Sequence, residues 1–541
     1  MSIHSMKVPR LRLISDYVPY HAEHTPAAIA MTLGGDQVTY LELAKRVRAT
    51  ARAMLASGVK PGDRVAMLAN STPAFMVHFL ASASIGATWM GLNPKYQFNE
   101  FRYVVTDAGP SSVLVHANSE DRNYLEEMLN LQQEFSSIQQ VVDGTGAGSS
   151  DGAVPHDEWI GAGDIVSDET LQTVRASIDG NAPALLVYTS GTTGQPKGAM
   201  LPHDGLVTAA RTQFHYWGAE PLVMQNYFPI NHLACVGDVS LFVFINGGTI
   251  AFMEHFDVGA VIRQIGSEGI TCWVGIPTTF QMCLDHPEWK NADTSSVQVI
   301  AFGGAAAPRP LVEQLIGIVP RVSNAYGQTE SVAQVTFTPP CDDVDLLVDT
   351  IGKPVPDYEV RIAREDGTEV EVDEVGEIRI RGDFLMNGYW RRPEATAETL
   401  VEGGWLRTGD LARRRPDDNL EIVGRIREMF KSGGYNVYPL EVEQVLESMG
   451  GVSAAIVVPV LDRLFSEVGH AFIQVEPGCQ ITDGGLQDHC SRSLANYKIP
   501  KVFCIVDELP LLPVGKVDRR AVKALALANL ESSMESENDE S

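Results

Sequence analysis

The chain has few features that would cross-link it or direct it out of the cell. Seven cysteines are scattered over 541 residues, in an odd number and without a C-x-x-C pair. This pattern argues against a disulfide framework or a zinc–thiolate site and favours a reducing compartment. The first ten residues have no apolar segment of the kind that directs secretion, so we expect a cytoplasmic protein.

Basic charge and long apolar runs are also scarce. The 41 Lys and Arg residues are outnumbered by 69 Asp and Glu residues, and the net charge of −28 disfavours nucleic acid and anionic membrane as partners. No apolar run reaches transmembrane length, since the run that ends at Ile245 is followed by Asn246-Gly247-Gly248. A chain of this length exceeds one compact core, so we expect two or more domains.

One stretch, Tyr188 to Gly198, carries the strongest functional signal and reads Y-T-S-G-T-T-G-Q-P-K-G. The apolar run before it predicts a buried strand. Its glycines let backbone N–H groups approach an anion, its hydroxyls donate hydrogen bonds, and Lys197 adds a point charge. The alternative is a flexible surface loop. A Walker A loop is excluded because Pro196 precedes Lys197 and Gly198 follows it. The candidate phosphate-binding residues are Thr189, Ser190, Gly191, Thr192, Thr193, Gly194 and Lys197.

This string resembles the phosphate loop of the adenylate-forming superfamily, which contains acyl-CoA synthetases, firefly-type luciferases and peptide-synthetase adenylation domains. The string N-A-Y-G-Q-T-E at Asn324 to Glu330 resembles a second motif of that family. The resemblance implies that Tyr326 stacks on adenine, Asn324 meets its exocyclic amine, Thr329 touches phosphate and Glu330 holds Mg²⁺. Further nucleotide contacts implied by these motifs are Ala325, Gly327, Gln328 and the small-residue turn Gly303, Gly304 and Ala305.

Four more elements follow the order of the family. The resemblance implies that Asp410 and Arg425 bind the ribose and that Lys516 bonds the substrate carboxylate and the α-phosphate. His232 would stand at the mouth of the acyl pocket. The loop with Gly433, Gly434 and Tyr435 is similar to the wall of the pantetheine tunnel in CoA ligases. The hinge residue of the family, usually Asp or Lys, falls on Arg427.

The resemblance and the alternation of helices and short apolar strands together predict an α/β protein. We expect a large N-terminal domain, residues 1–424, made of α/β subdomains and a β region, and a small mobile α+β domain, residues 425–541. The hinge would lie near 425–427, and the acidic tail from about residue 531 to 541 would be disordered. Two helices are predicted near the N-terminus, one after the capping box Thr39–Glu42 and one over Pro73–Trp89.

The implied activity is an ATP-dependent acyl-CoA ligase that uses ATP, Mg²⁺ and coenzyme A. We expect its acid to be an apolar monocarboxylic acid, either a medium- or long-chain fatty acid or an aryl-alkanoic or alicyclic one. This expectation comes from an apolar predicted lining and from Gly327, which stands where acetate-using relatives have a large aromatic residue. The lining is His232, Leu233, Ala234, Cys235, Ile276, Thr279, Phe302, Gly303, Val332 and Ala333. The alternatives are an acyl-AMP ligase that loads a carrier protein, a luciferase-like enzyme and a non-catalytic nucleotide-binding relative; a homodimer stays open.

Overall fold

The computed structural model describes residues 8–119, 121–146, 152–189, 195–462, 464–512 and 516–539, with the backbone alone from residue 531. The predicted α/β class is confirmed, with a large N-terminal domain and a smaller C-terminal domain.

In chain order, the strands of the described residues are β1 Ile29–Leu33, β2 Asp36–Thr39, β3 Arg64–Leu68, β4 Thr88–Leu92, β5 Ser112–Val115, β6 Gln140–Asp143, β7 Val154–Pro155, β8 Pro183–Thr189, β9 Lys197–Pro202, β10 Val223–Asn226, β11 Thr249–Phe252, β12 Cys272–Gly275, β13 Val299–Gly303, β14 Val322–Gly327, β15 Gln334–Phe337, β16 Lys353–Pro354, β17 Glu359–Ala363, β18 Gly376–Arg381, β19 Gly388–Tyr389, β20 Leu400–Val401, β21 Trp405–Arg414, β22 Leu420–Arg425, β23 Phe430–Ser432, β24 Tyr435–Val437, β25 Val452–Asp462, β26 Ser466–Val475 and β27 Val502–Val506.

The helices of the same residues are α1 Tyr17–His24, α2 Tyr40–Ala56, α3 Pro73–Ser84, α4 Phe98–Ala108, α5 Tyr124–Glu134, α6 His156–Ala162, α7 Asp168–Ala176, α8 His203–Trp217, α9 Phe242–Ile245, α10 Val258–Ser267, α11 Pro277–Asp285, α12 Arg309–Ile318, α13 Val344–Asp349, α14 Pro393–Thr399, α15 Pro439–Glu447, α16 Asp483–Ser493 and α17 Arg519–Asp539. A π-helical segment, Ala234–Leu241, runs directly into α9.

Two sheets of the large domain bring their functional loops to the carboxyl ends of parallel strands. The first has the order β19-β9-β8-β4-β3-β5-β6-β7, and β8 runs parallel to β4 before β9 turns back antiparallel. The second has the order β12-β13-β14-β15-β16, with β13 and β14 parallel. Ligands of open α/β sheets bind outside the carboxyl ends of the strands. The loop after β8 and the ends of β13 and β14 are therefore the expected positions for a site.

The remaining sheets complete the large domain and form the small one. The large domain has a further sheet of order β10-β11-β1-β2. The expected β region is the antiparallel sheet β17-β18-β21-β20, in which β22 pairs with β21. The C-terminal sheet has the order β24-β23-β26-β25, with β27 paired to β26. Its core is formed by α15 and α16 on this sheet, while α17 packs near β25.

The structure confirms some local predictions and corrects others. Helix α2 begins after Thr39, whose hydroxyl accepts a hydrogen bond from the backbone N–H of Glu42 at 3.2 Å. The predicted helix Pro73–Trp89 is wrong at its end: it stops at Ser84, Gly86 turns with φ 71°, and Trp89 belongs to β4. A buried helix and a buried strand carry the same unbroken apolar pattern, so the sequence did not show this boundary.

The last helix, α17, has its backbone in helical conformation from Arg519 to Asp539. Disorder of the tail from about residue 531 stays a prediction from its acidic composition. The helix starts on buried Val522 and Ala526, and the residues after it include good helix formers such as Glu and Met. In the described residues, no helix is both long enough and apolar enough to cross a membrane.

A buried ion pair joins α17 to α15. The Arg519 guanidinium donates to both carboxylate oxygens of Glu443, at 2.8 and 2.5 Å, and Glu443 also accepts from the backbone N–H of Val457 at 2.7 Å. Arg519 further pairs with Glu428, in the segment after β22, at 3.3 Å. Burial raises the pKa of Glu443, and the charge of Arg519 opposes that shift. The small domain therefore depends on Arg519 to keep a buried carboxylate compensated.

We expect Arg519→Met to destabilise the small domain by about 3–5 kcal/mol, because it leaves Glu443 buried without its cation. Differential scanning calorimetry, with hydrogen exchange of α15 and α17, measures the loss. The double variant Arg519→Met/Glu443→Met removes both charges and should recover much of the stability. A double variant as unstable as the single one would contradict the role assigned to this ion pair.

Candidate active site

The predicted phosphate loop connects two antiparallel strands. Strands β8 and β9 pair antiparallel with Thr189 opposite Lys197, so these two residues stand at the base of the connecting loop. The predicted residues Ser190, Gly191, Thr192, Thr193 and Gly194 lie outside the described residues. The expected strand before the loop is confirmed as β8.

Glu330, the predicted Mg²⁺ ligand, is positioned by residues from distant parts of the chain. It sits in a short 3₁₀ turn just after β14, beside Thr329, and its Oε1 accepts from the Thr189 hydroxyl at 3.3 Å and the Tyr389 hydroxyl at 2.8 Å. The Lys197 ammonium lies 5.3 Å from the centroid of the Tyr389 ring. These contacts bring the predicted phosphate and metal residues into one cluster.

Tyr389 is a functional candidate that the sequence analysis missed. It belongs to β19, which pairs with β9, so its ring comes to lie over Lys197 although the two residues are far apart in the chain. Burial, and then the nearby Glu330 carboxylate, raise the pKa of Tyr389, which keeps the phenol protonated as a donor. The only sequence signal was an aromatic residue after a glycine, which is too common to identify a site.

A second cluster contains the predicted ribose residues. Asp410 of β21 and Arg425 of β22 are opposite each other in the sheet, and Arg425 Nε lies 2.9 Å from Asp410 Oδ1. The Tyr326 hydroxyl donates to Asp410 Oδ2 at 2.7 Å. Asp410 is buried, whereas 60% of the Arg425 side chain is exposed. The arrangement places an aromatic ring, a fixed carboxylate and an exposed guanidinium side by side.

The end of β14 carries the remaining predicted adenine residues. The Asn324 amide nitrogen donates to the backbone carbonyls of Leu347 and Thr350, at 3.2 and 2.8 Å. Both of its amide hydrogens are thereby used, and its carbonyl oxygen remains the group that could accept from an adenine amine. Ala325 is buried within the strand, and Gln328 follows it with a buried amide nitrogen that has no partner among the described residues.

The structure requires glycine at position 327 for a reason other than the size of the substrate pocket, which the sequence had suggested. A Cβ on Gly327 would lie 2.1 Å from the backbone oxygen of Ala333, so the close pairing of β14 and β15 excludes any side chain there. The expectation that Gly327 leaves space for a larger acid is therefore corrected. The absent side chain would collide with backbone.

Lys516 reaches the large domain at the small-residue turn. Strand β13 ends at Gly303, and Gly304 follows with φ 78° before exposed Ala305. A Cβ on Gly304 would come 3.3 Å from Lys516 Nζ, so glycine leaves the space that the ammonium occupies. Burial, and then the charge of Arg425, lower the pKa of Lys516, while Asp410 opposes the shift. The predicted catalytic lysine thus lies beside the predicted ribose residues.

His232 also lies near Lys516. Burial, and then the charge of Lys516, lower the pKa of His232 to about 4, so the imidazole is neutral at physiological pH. Its Nδ1 accepts from the backbone N–H of Ala234 at 3.2 Å, which leaves Nε2 as the protonated nitrogen. A neutral imidazole with a free N–H suits the mouth of a pocket that receives a carboxylate.

The predicted pantetheine loop is an exposed glycine turn. Gly433 and Gly434 link β23 to β24 with φ of 58° and 87°, and a Cβ on Gly434 would have no heavy atom of the described residues within 4 Å. Tyr435 is exposed and stacks on Tyr497, with 4.7 Å between ring centroids. Lys516 thus contacts the large domain at Gly304, while a side chain at Gly434 would meet open space.

The donor set fits Mg²⁺ bound mainly through a substrate. No group of three or more His, Cys, Asp or Glu side chains that could hold a metal occurs in the described parts of the chain. Mg²⁺ is commonly bound by one or two carboxylates together with phosphate oxygens and water. Glu330 alone, beside the phosphate loop, can provide such a carboxylate.

Comparison with known proteins agrees with this geometry. Residues 18–390 match the AMP-binding enzyme family, and residues 441–516 match the AMP-binding enzyme C-terminal domain. A feruloyl-CoA synthase of Amycolatopsis sp is 33% identical over 93% of this chain and 96% of that protein. A methyl-dioxo-octahydro-indenyl-propanoyl:CoA ligase of Rhodococcus jostii is 33% identical over 91% of this chain and 95% of that protein.

A solved structure has the same architecture. The amide bond synthetase McbA from Marinactinospora thermotolerans is 26% identical, covers 95% of this chain and 99% of its own, and superposes with a TM-score of 0.82. The family match spans well over half of the chain, and the relatives above cover nearly all of it. The chain belongs to the AMP-binding enzyme family of adenylate-forming proteins, in its acyl-CoA ligase branch.

Proposed function

We propose that the protein joins a monocarboxylic acid to coenzyme A with ATP, through an acyl-AMP intermediate. In the first step a carboxylate oxygen attacks the α-phosphorus, and the bond to pyrophosphate breaks. In the second step the CoA thiol attacks the acyl carbonyl, the bond to AMP breaks, and the thiol proton is released to solvent. One observation carries this proposal: the Lys516 ammonium lies at Gly304 and is close enough to His232, Arg425 and Asp410 to interact with them electrostatically.

Each residue would have a role that its position supports. Lys197 and the loop after β8 would hold the β- and γ-phosphates, Asp410 and Arg425 the ribose, and Lys516 the α-phosphate and the substrate carboxylate. Glu330 would hold Mg²⁺, which neutralises phosphate charge when bound. The catalysis is then positioning and charge stabilisation, as in other phosphoryl- and nucleotidyl-transfer reactions.

The acid would have a mainly apolar body, which leaves medium- or long-chain fatty, aryl-alkanoic and alicyclic acids as candidates. The relatives named for a feruloyl group and for an indenyl-propanoyl group favour a ring-containing acid. Leu233, Cys235 and Phe302 of the predicted lining are buried and apolar, which supports this class of acid.

The small domain would have to turn between the two steps. Lys516 lies beside Gly304 of the large domain, whereas a side chain at Gly434 would meet no heavy atom of the described residues within 4 Å. We infer a large domain of residues 1–424, a small domain of residues 425–541 and a pivot at 425–427. One rigid module cannot present both surfaces at once, so thiolation requires a second orientation.

The first activity test concerns Lys516. We expect Lys516→Ala to slow acyl-AMP formation by roughly a hundredfold or more, as for loss of one preorganised electrostatic donor. Conversion of supplied acyl-AMP to acyl-CoA should change little, because that step uses the other orientation. Pyrophosphate release and thioester formation, assayed separately, measure the two steps. Lys523→Ala, an exposed lysine on α17, is the matched control. Equal losses in both steps for Lys516→Ala would refute the two-orientation mechanism.

The second test concerns the CoA loop. Gly434→Leu should block thioester formation while acyl-AMP still forms, because a bulky side chain would enter the wall along which pantetheine slides. A side chain also strains the backbone at φ 87°, so Gly478→Leu, with φ 86° and the same open surroundings, serves as control. Single-turnover assays with and without CoA separate the steps. If Gly478→Leu loses as much thioester formation as Gly434→Leu, strain alone explains the effect.

The third test concerns Tyr389. Tyr389→Phe keeps the ring over Lys197 and removes the hydroxyl that orients Glu330. We expect the Mg²⁺ concentration for half-maximal pyrophosphate release to rise roughly tenfold, the usual cost of removing a hydrogen-bond partner of a metal ligand. Excess Mg²⁺ should restore the rate. Tyr20→Phe, on α1, is the control. A lower rate at every Mg²⁺ concentration, with the half-maximal concentration unchanged, would contradict the assigned role.

A further inference from the structure

Helix α4 contacts both strand ends that flank the predicted phosphate loop. The Tyr103 hydroxyl donates to the backbone oxygen of Pro196 at 2.7 Å, and Pro196 directly precedes Lys197. The Tyr188 hydroxyl, near the end of β8, donates to Asp107 Oδ2 at 2.8 Å. Tyr103 and Asp107 are four residues apart, so they lie on the same face of the helix. One helix face therefore holds the end of β8 and the start of β9 in a fixed relation.

The segment that follows β19 joins the same contacts. Arg392 pairs with Asp107 Oδ1, and the indole Nε1 of Trp390 donates to the Asp107 backbone oxygen at 3.0 Å. The Trp390 backbone N–H donates to the backbone oxygen of Gly198 at 2.7 Å. Both carboxylate oxygens of Asp107 thus have a partner, and only 9% of this side chain is exposed. The end of α4 is thereby fixed on β8, on β9 and on the segment that also contains Tyr389.

These contacts stand one residue away from two groups of the candidate site. Thr189 follows Tyr188 and donates its hydroxyl to Glu330, the proposed Mg²⁺ ligand. Lys197 follows Pro196 and is opposite Thr189 in the paired strands. Consecutive Cα atoms are only about 3.8 Å apart, so a displacement of Tyr188 or Pro196 is passed on to its neighbour. Charge stabilisation at a phosphate depends on donors that are held in advance at the correct distance. The contacts of α4 can therefore set the position of Lys197.

Packing alone explains these polar groups less well. Phenylalanine and leucine would fill the space of Tyr103, Tyr188 and Asp107, and a buried ion pair can often be replaced by apolar residues without loss of stability. Hydrogen bonds add a narrow range of distance and direction that apolar contacts lack. Burial, and then the Asp107 carboxylate, raise the pKa of Tyr188, which keeps its hydroxyl protonated as a donor. The network is therefore suited to fixing the position of the strand ends.

We propose, on the basis of the proposed function, that Tyr103 and Asp107 are positioning residues for acyl-AMP formation, which hold Lys197 at the β- and γ-phosphates of ATP. They act through Pro196 and Tyr188. The proposed ribose residues lie on β21 and β22, outside these contacts. The effect of Tyr103 and Asp107 is therefore confined to the outer phosphates, which ATP has and which AMP and acyl-AMP lack.

The experiment compares nucleotides with and without the outer phosphates. The variants Tyr103→Phe and Tyr188→Phe each remove one hydroxyl and keep the ring. Isothermal titration calorimetry measures the Kd of ATP with Mg²⁺ and the Kd of AMP. The two half-reactions are assayed separately, with dodecanoic and cinnamic acids and with their supplied acyl-AMPs. Tyr40→Phe is the matched control, because its hydroxyl, on α2, donates to the backbone oxygen of Gly248 at the same distance of 2.7 Å.

We expect Tyr103→Phe and Tyr188→Phe each to raise the Kd of ATP roughly three- to tenfold, the effect of one lost hydrogen bond, and to leave the Kd of AMP unchanged. Acyl-AMP formation should slow by roughly tenfold or more, because a misplaced donor lowers the rate as well as the affinity. Conversion of supplied acyl-AMP to acyl-CoA should keep its wild-type rate. A purely structural loss would lower both half-reactions together.

Two variants at Asp107 keep the test decisive if a tyrosine variant does not fold. Asp107→Leu removes the acceptor of the Tyr188 hydroxyl, whereas Asp107→Asn retains an amide oxygen that can accept from it. We expect Asp107→Leu to show the full loss of ATP affinity and Asp107→Asn to recover part of it. The affinity for AMP should stay unchanged in both variants.

Three results would overturn the proposal. They are an equal rise of the Kd for ATP and for AMP, an unchanged Kd for ATP, and the same ATP-selective loss in Tyr40→Phe. Failure of the proposed function looks different, because wild type would then bind the nucleotides and convert neither acid. In that case the ratio of the ATP and AMP affinities still decides whether Tyr103 and Asp107 act on the outer phosphates.

Discussion

The arrangement of this protein depends on one buried cation that is carried by a different domain from the residues it meets. Lys516 lies against Gly304, near Arg425 and His232, and its burial and the charge of Arg425 both lower its pKa. An ammonium held beside a guanidinium is unfavourable unless an anion compensates both. Asp410 compensates in part, but it is already bonded by Arg425 and Tyr326. The closed arrangement therefore has a surplus of positive charge that a polyphosphate would neutralise.

This surplus would give a physical reason for the proposed rotation of the small domain. With ATP bound, the phosphate charges would hold Lys516 and Arg425 together. After pyrophosphate leaves, most of that negative charge would be gone and the repulsion between the two cations would return. The ion pair between Arg519 and Glu428 links the segment after Lys516 to the segment after Arg425. The proposed rotation would therefore carry this pair along with the core of the small domain.

The sequence identified candidate site residues that occur in short motifs better than those whose position is set by packing. The phosphate loop, Tyr326, Asp410, Arg425 and Lys516 each occur in short strings, and strings are readable without a fold. The strand before this loop, observed as β8, was also predicted, since an apolar run directly precedes the glycine-rich segment. The end of α3 was not, because the same apolar pattern continues from the helix into β4.

Two residues show why the rest of the site needed the structure. Tyr389 meets Glu330 only because β19 pairs with β9, which is a property of sheet order and not of local sequence. Gly327 is required by the backbone of Ala333, a contact that depends on the register between β14 and β15.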